Sequence, residues 1–331
     1  MISRRKFVAR LFATIITSTG LTAVCETVSA QGSYPNKPIK IIVGFTPGGP
    51  LDTHARVLID QLQKHLGQQV MVDYKPGAGG SIGADFVIKS PADGYTLLMA
   101  NTGTMVINPY VYTKNIYQTL RDFTPVARTA QQPLALVVHA DFPAKTFGEF
   151  VDYAKKNPTK INFGSAGNGG ISHLAPEMLA DAVGIKMTHV PYKGTSAAFT
   201  DLLANQVQFM AESIPQVTQY VKVGKVRALA MTGKERNPAI PDVPTMAEVG
   251  VKDFVLVGFY GVLAPANLPA DVLAKLTDTF KKTLASDDVK TKMLAQGADP
   301  AYLDPSQFSA FIKSEGVRWQ AAVKKADLKL D

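Results

Sequence analysis

Cysteine is almost absent from these 331 residues: Cys25 stands alone, and it falls within the first thirty positions. A chain with no further thiol has no disulfide framework and must hold its fold through its core. Histidine is scarce too. The five histidines, at positions 54, 65, 139, 173 and 189, show neither H-x-x-x-H nor His/Cys spacing, so no metal ligand set is expected. Charged residues make up 19% of the chain, and the basic ones are scattered, with no patch of interleaved aromatics. Nucleic acid is therefore not an expected partner. No loop carries the Walker A order of Gly-Lys-Ser/Thr, since Lys193-Gly194-Thr195 is out of order. The dinucleotide pattern GxGxxG fails as well, because Gly77 and Gly79 lead to Ile82, and Gly167 and Gly169 lead to Ser172. Paired carboxylates, a cofactor lysine and a reactive cysteine are all missing, so neither a cofactor nor catalysis is expected.

What is present is apolar residue, 46% of the total, enough for two ordinary domains with real cores. The first thirty residues stand apart. MISRRKFVAR is basic, LFATIITSTGLTAV is apolar, and VSA (28–30) offers small residues for cleavage near Ala30. This pattern predicts a signal peptide over 1–30 and export to the periplasm, by the Sec route or, given Arg4-Arg5, the twin-arginine route. The apolar run is too short and too rich in Thr for a membrane span, so the chain is not expected to be membrane-embedded. The leader holds four basic residues and one acidic residue, so without it the net charge is +5 rather than +8. A mild positive field of that kind favours small anions.

Short β-rich runs alternate with helical ones: IKIIV, QQVMVDY, YTLLMA, LALVVHA, KINFGS, KMTHVPY, VQFMAE and VRALAMTG. Such alternation predicts an α/β fold with largely parallel sheets. One unit recurs. Laid 120 residues apart, KIIVGFTPGGPLDTHARVLIDQL (40–62) faces KINFGSAGNGGISHLAPEMLADA (160–182), with Gly44 on Gly164 and Gly49 on Gly169. Each copy sets a glycine-rich loop between a strand and an amphipathic helix. A helix start carries unpaired N–H groups and a partial positive charge, and glycines let a ligand reach them. Such a place binds anions. Neither loop has Lys or Arg for a polyphosphate, and Thr46, Ser165 and Ser172 add hydroxyls, so a carboxylate suits the pair better.

The stretches YPNKPIKIIVGFTPGGPLDTHAR (34–56), KPGAGGSIGADFVIKSPADGYTLL (75–98), KINFGSAGNGGISHLAPEML (160–179), HVPYKGTSAAFTDLLANQV (189–207), GKVRALAMTG (224–233) and FYGVLAPANLP (259–269) carry a resemblance. Together with FTPVA (123–127) and IPDVPTMAEVG (240–250), they cover nearly the whole chain beyond its leader. They resemble the solute receptors of tripartite tricarboxylate transporters, also called Bug receptors. The resemblance implies a two-lobed periplasmic-binding-protein fold of the Venus-flytrap, type II-like kind, each lobe a mostly parallel sheet flanked by helices. It places lobe 1 at 31–127 with 255–331 and lobe 2 at 128–254. It implies a monomer that closes on a small mono- or dicarboxylate, aromatic ones included, and delivers it to a membrane transporter of that type.

Carried over by position, the first loop gives Phe45, Thr46, Pro47, Gly48, Gly49 and Asp52, and Gly79, Gly80 and Ser81 open a further helix. Asn101 and Thr102 end a strand of the first lobe. The second lobe gives Gly164, Ser165, Ala166, Gly167, Gly169, Ser172 and His173, with Ala211 and Glu212 after the VQFM strand. Phe259 stands where many relatives have Trp, and Thr46 where the family often has Pro, so the pocket is expected to differ in shape. Several of these residues also have a structural reading: Asp52 as a helix cap, His173 as a solvent-facing first-turn residue, Glu212 as a salt-bridge partner rather than a reader of a ligand hydroxyl. Two other functions remain open on the sequence. One is a ligand sensor with no transporter. The other is a hydrolase, because Gly79-Gly80-Ser81-Ile82-Gly83 matches the G-x-S-x-G elbow and would make Ser81 a nucleophile.

Overall fold

A computed structural model describes residues 34–330 apart from 115 and 193. The expected leader lies outside these residues. The first parallel unit contains β1 (Ile39–Val43), α1 (Pro50–Leu66), β2 (Val70–Tyr74), α2 (Ser81–Ile88) and β3 (Thr96–Asn101). Two short helices, α3 (Asn108–Val111) and α4 (Thr119–Asp122), lead into the long strand β4 (Phe123–His139). A second unit follows with α5 (Phe147–Lys156), β5 (Asn162–Ser165), α6 (Ile171–Val183), β6 (Thr188–Pro191) and α7 (Thr195–Leu203). It continues with β7 (Phe209–Ser213), α8 (Ile214–Lys222) and β8 (Val226–Met231). The chain ends with β9 (Val257–Pro265), α9 (Ala270–Ala285), α10 (Asp287–Ala295), β10 (Asp299–Leu303) and α11 (Pro305–Lys325).

The strands run in the order β2-β1-β3-β9-β4-β7-β5-β6, with β8 and β10 also pairing β4. Two parallel cores, β2-β1-β3 and β6-β5-β7, are joined by antiparallel strands. β4 does the joining. Its first half, Phe123 to Pro133, pairs with β9, and Leu134 to Val138 pairs with β7. Pro133 sits at the changeover, where a residue with no N–H interrupts neither ladder. One buried hydroxyl ties the changeover together. Thr232 Oγ1 accepts the Leu134 N–H at 2.9 Å and donates to the Leu256 carbonyl, while Leu256 N–H returns to the Thr232 carbonyl at 3.0 Å. Both places where the chain passes between sheets are thereby held by one residue.

The eight runs expected as strands are β1 to β8; β9 and β10 lie beyond them, and the composition of β10 (DPAYL) hides it, because Asp and Pro are poor strand formers. Helix α9 buries Val272, Leu276, Phe280 and Leu284, while Leu273 beside them is only half-buried. Close backbone approach positions the loops of the first sheet. A Cβ on Gly83 would stand 2.8 Å from the Gly44 Cα, so α2 lies directly on the end of β1. The larger core holds Ile42, Leu98, Phe209, Phe259, Phe308 and Trp319, all within 1% of full burial. No helix among the described residues is long and apolar enough to cross a membrane.

Candidate functional site

The strand–loop–helix repeat is present twice, with nearly superposable helix starts. Gly49 caps α1 with φ −78° and ψ 170°, and Gly170 caps α6 with φ −79° and ψ 170°. The glycines just before them, Gly48 (φ +82°) and Gly169 (φ +76°), both adopt the left-handed conformation that favours glycine. The equivalent pairs are thus Gly48 with Gly169 and Gly49 with Gly170, an offset of 121 residues. The overlay at 120 residues is one position out here, because the loop before α6 is one residue longer relative to that register.

The same offset pairs Asp52 with His173, each the third residue of its helix. Asp52 Oδ2 accepts the Gly48 N–H at 2.8 Å, and His173 Nδ1 accepts the Gly169 N–H at 3.2 Å. Each ties its glycine loop back onto the helix, as a capping residue does. Asp52 also accepts from Tyr74 (2.7 Å) and pairs with Arg56 (2.9 Å). Burial alone would raise its pKa, but the Gly48 N–H, Tyr74 and Arg56 together hold it below its ordinary value. An Nδ1 that accepts must be unprotonated, so His173 is the neutral Nε2–H tautomer. Burial pushes it down to about 4. It stacks on His189 with ring centroids 3.6 Å apart, and His189, lowered to about 4 by burial and by His173, is 2.6 Å from Ser165 Oγ.

Between the sheets lies a cleft of about 800 Å³. Of the residues singled out in the sequence, Phe45, Thr46, Pro47, Gly48, Gly49, Gly79, Asn101, Thr102, Ala166, Gly167, Ser172, Glu212 and Phe259 line it. Asp52, Gly80, Ser81, Gly164, Ser165, Gly169, His173 and Ala211 do not. They stand one layer behind. Gly80 packs against Thr104 and Phe45, and Gly164 against Val207, Ala198 and Tyr192. Gly169 lies beneath Val111 and Leu330. Ala211 is a core residue of β7, and the Ser165 hydroxyl accepts the Gly167 N–H at 3.1 Å to fold its own loop. Ser81 Oγ accepts from Asn108 Nδ2 at 3.0 Å. Where a nucleophile needs a base, it meets an amide donor. Phe259 lines the wall, yet its ring is buried and packs edge-on to Phe308 (5.6 Å) and Phe311 (5.3 Å). It is a core ring rather than a platform for an aromatic ligand.

The sequence reading missed Gln132, Gly170, Thr195, Ser196, Gln216 and Tyr260, all in the wall. Gly194-Thr195-Ser196 was legible as a third glycine-and-hydroxyl helix start after a strand. Gln132 and Tyr260 were not, because they sit in strands β4 and β9, where only the pairing decides which way a side chain faces. Among the described residues no metal-ligating cluster is present, and the lining includes no Lys, Arg or His. Apart from the Glu212 carboxyl, the polar groups of the described lining are backbone and neutral side chains such as Thr46, Asn101, Gln132 and Ser172. In α1 the N–H groups of Leu51 and Asp52 precede Thr53, which makes the first intrahelical bond, to Gly49. Pro50, at the first helical position, gives up only an N–H that would have had no partner. In α6 the counterparts are Ser172 and His173, but the His173 N–H already bonds the Gly170 carbonyl at 3.1 Å, so Ile171 and Ser172 precede the first intrahelical bond there. Ser172 Oγ, accepting from Ala166 N at 3.1 Å, keeps its own proton to donate.

Two lobes of α/β structure with a cleft between them, faced by two glycine-capped helix starts, are the architecture of a solute-binding receptor. The chain belongs to the tripartite tricarboxylate transporter receptor family, whose model matches residues 54–328. It is similar to protein BugT of Bordetella pertussis, with 35% identity over 322 residues that cover 97% of this chain and 98% of BugT. Among solved structures it resembles R. palustris Rpa4515 with adipate, at 31% identity and a TM-score of 0.83, covering 89% of this chain and 99% of that one. It also resembles MatC from Rhodopseudomonas palustris with bound malate, at 31% identity and a TM-score of 0.78, covering 88% and 100%.

Proposed function

We propose that this protein is a periplasmic receptor that captures a small carboxylate between its lobes and delivers it to a tripartite tricarboxylate-type membrane transporter. The single observation behind this reading is the matched pair of helix starts capped by Gly49 and Gly170 with the same backbone angles. Each presents N–H groups to the cleft, and glycine leaves no Cβ between those groups and a ligand oxygen. One carboxylate oxygen would rest on the start of α1 and the other on the start of α6, with the Ser172 hydroxyl as a further donor. Each helix end offers only about 0.3–2 kcal/mol to a charge, so closure around several hydrogen bonds in a dry site must supply most of the affinity.

The lobes expected at 31–127 with 255–331 and at 128–254 are hinged, in this reading, where β4 changes partner at Pro133 and where the segment before β9 passes between the sheets. The change at Pro133 falls later than the 127/128 boundary, because Arg128 to Pro133 still pair with β9. Ligand bridging the two helix starts favours the closed form by its differential affinity. The adipate and malate bound by the two structural relatives agree with a carboxylate as the class of cargo. A thermal-shift screen against mono-, di- and tricarboxylates tests the proposal. A ligand that binds only the folded state raises the midpoint by mass action. No shift with any carboxylate at millimolar concentration overturns it.

A further inference from the structure

Glu212 is the one charged side chain in the described lining of the cleft. It is the last residue but one of β7, opposite Ala135 of the joining strand, and is 7% exposed. Its two oxygens are held from different elements. Oε2 accepts from the Thr195 hydroxyl at the start of α7 (3.1 Å), and Oε1 accepts the Ser213 N–H at the start of α8 (2.9 Å). These bonds fix the carboxyl in one orientation and leave each oxygen a second lone pair. Tyr260 and Gln132 share the same wall. The Tyr260 hydroxyl feels Glu212: burial, and then the nearby carboxylate charge, make it harder to ionise.

A carboxyl in such a place is costly for a site that takes anions. Burial pushes Glu212 upward in pKa against the Ser213 and Thr195 hydrogen bonds, and no cation in the described lining offsets its charge. A second anionic group brought beside it would meet like-charge repulsion in a desolvated site. A hydroxyl or ammonium brought to the same spot would instead meet an oriented acceptor.

We propose that Glu212 determines specificity: it selects a carboxylate ligand whose other end carries a hydrogen-bond donor, a hydroxyl or an ammonium, over one that ends in a second carboxylate. The inference rests on the carboxylate-receptor reading above and adds the chemistry of the ligand's far end. The carboxylate is anchored at the two helix starts, and the donor reaches Glu212.

Calorimetry with four probe series, each of three to six carbons, tests it: unsubstituted monocarboxylates, ω-hydroxy acids, ω-amino acids and α,ω-dicarboxylates. At matched length the best hydroxy or amino probe should bind the wild-type protein at least tenfold more tightly than the dicarboxylate. Glu212→Gln keeps the size and removes the charge, and should tighten the dicarboxylate at least tenfold while weakening the amino acid. A dicarboxylate that binds wild type as tightly as its donor-ended counterpart, or a preference unchanged in E212Q, overturns the proposal. Wild-type selectivity alone decides the matter if E212Q fails to fold, which its melting curve reports. Binding by unsubstituted acids or dicarboxylates but not by donor-ended probes rejects Glu212 while leaving the receptor intact. Silence from all four series rejects both.

Discussion

Asp52 and His173, an acid and a neutral imidazole 121 positions apart, hold the same post in the two lobes. Each is the third residue of a helix and accepts the N–H of the left-handed glycine before the cap, Gly48 at 2.8 Å and Gly169 at 3.2 Å. The pairing makes both residues guardians of loop shape. Removing either acceptor leaves a glycine N–H without its partner and loosens the loop that presents the amides. Asp52→Ala and His173→Ala should each cost about 1–2 kcal/mol of stability, the usual cost of a lost cap. Denaturant titration checks this, and ligand affinity should fall along with stability.

Acid should weaken the protein in two stages. His54, His173 and His189 are lowered by burial to about 3, 4 and 4, with His173 adding to the effect on His189. Between pH 6.5 and 4 the unfolded chain therefore binds more protons at these sites than the folded one. Stability rises with pH through that window, and is lost as pH falls through it. Asp52 acts lower down: its contribution is present above about 3.8 and disappears as pH drops through its depressed value. The thermal midpoint should fall steadily from pH 6.5 to 4, and His189→Asn should flatten the slope. A midpoint constant across that window contradicts the assignment.

Thr232 should matter more than its size suggests. Thr232→Val keeps the shape and removes the hydroxyl that serves Leu134 and Leu256, leaving a buried N–H and a buried carbonyl unpaired. Loss of such buried partners costs about 1–3 kcal/mol each. The drop should appear in denaturant titration, whereas Thr232→Ser should recover most of it.

The fold was legible where periodicity speaks: the strand runs, the helical faces and the repeated glycine loops all declare themselves in one dimension. The register of the repeat was not, because one residue added in a loop is invisible until the caps at Gly49 and Gly170 are compared. Gly83 shows how a motif misleads. Its place in G-x-S-x-G suggests a nucleophile elbow at Ser81, but the glycine is there because α2 crosses Gly44 too closely for any Cβ. The site was half legible. Loop residues such as Thr46 and Gly167 lie in the wall, while Ser165, Gly169 and His173 build the loop from behind, and sequence alone does not separate a residue that touches from one that supports. Gln132 and Tyr260 needed the strand pairing to show which way they face.

The amide cradle is tested most directly by calorimetry of Gly49→Val and Gly170→Val against the carboxylate that gives the largest thermal shift. Both glycines have backbone angles a valine can adopt; a Cβ at 170 meets nothing within 4 Å, and one at 49 only the Thr46 carbonyl at 3.6 Å. Folding should survive, and the new side chains should stand between the helix N–H groups and the ligand. The expected result is a normal melting curve with carboxylate affinity reduced at least a hundredfold in both variants. Full affinity in either variant would contradict the claim that the paired helix starts hold the ligand.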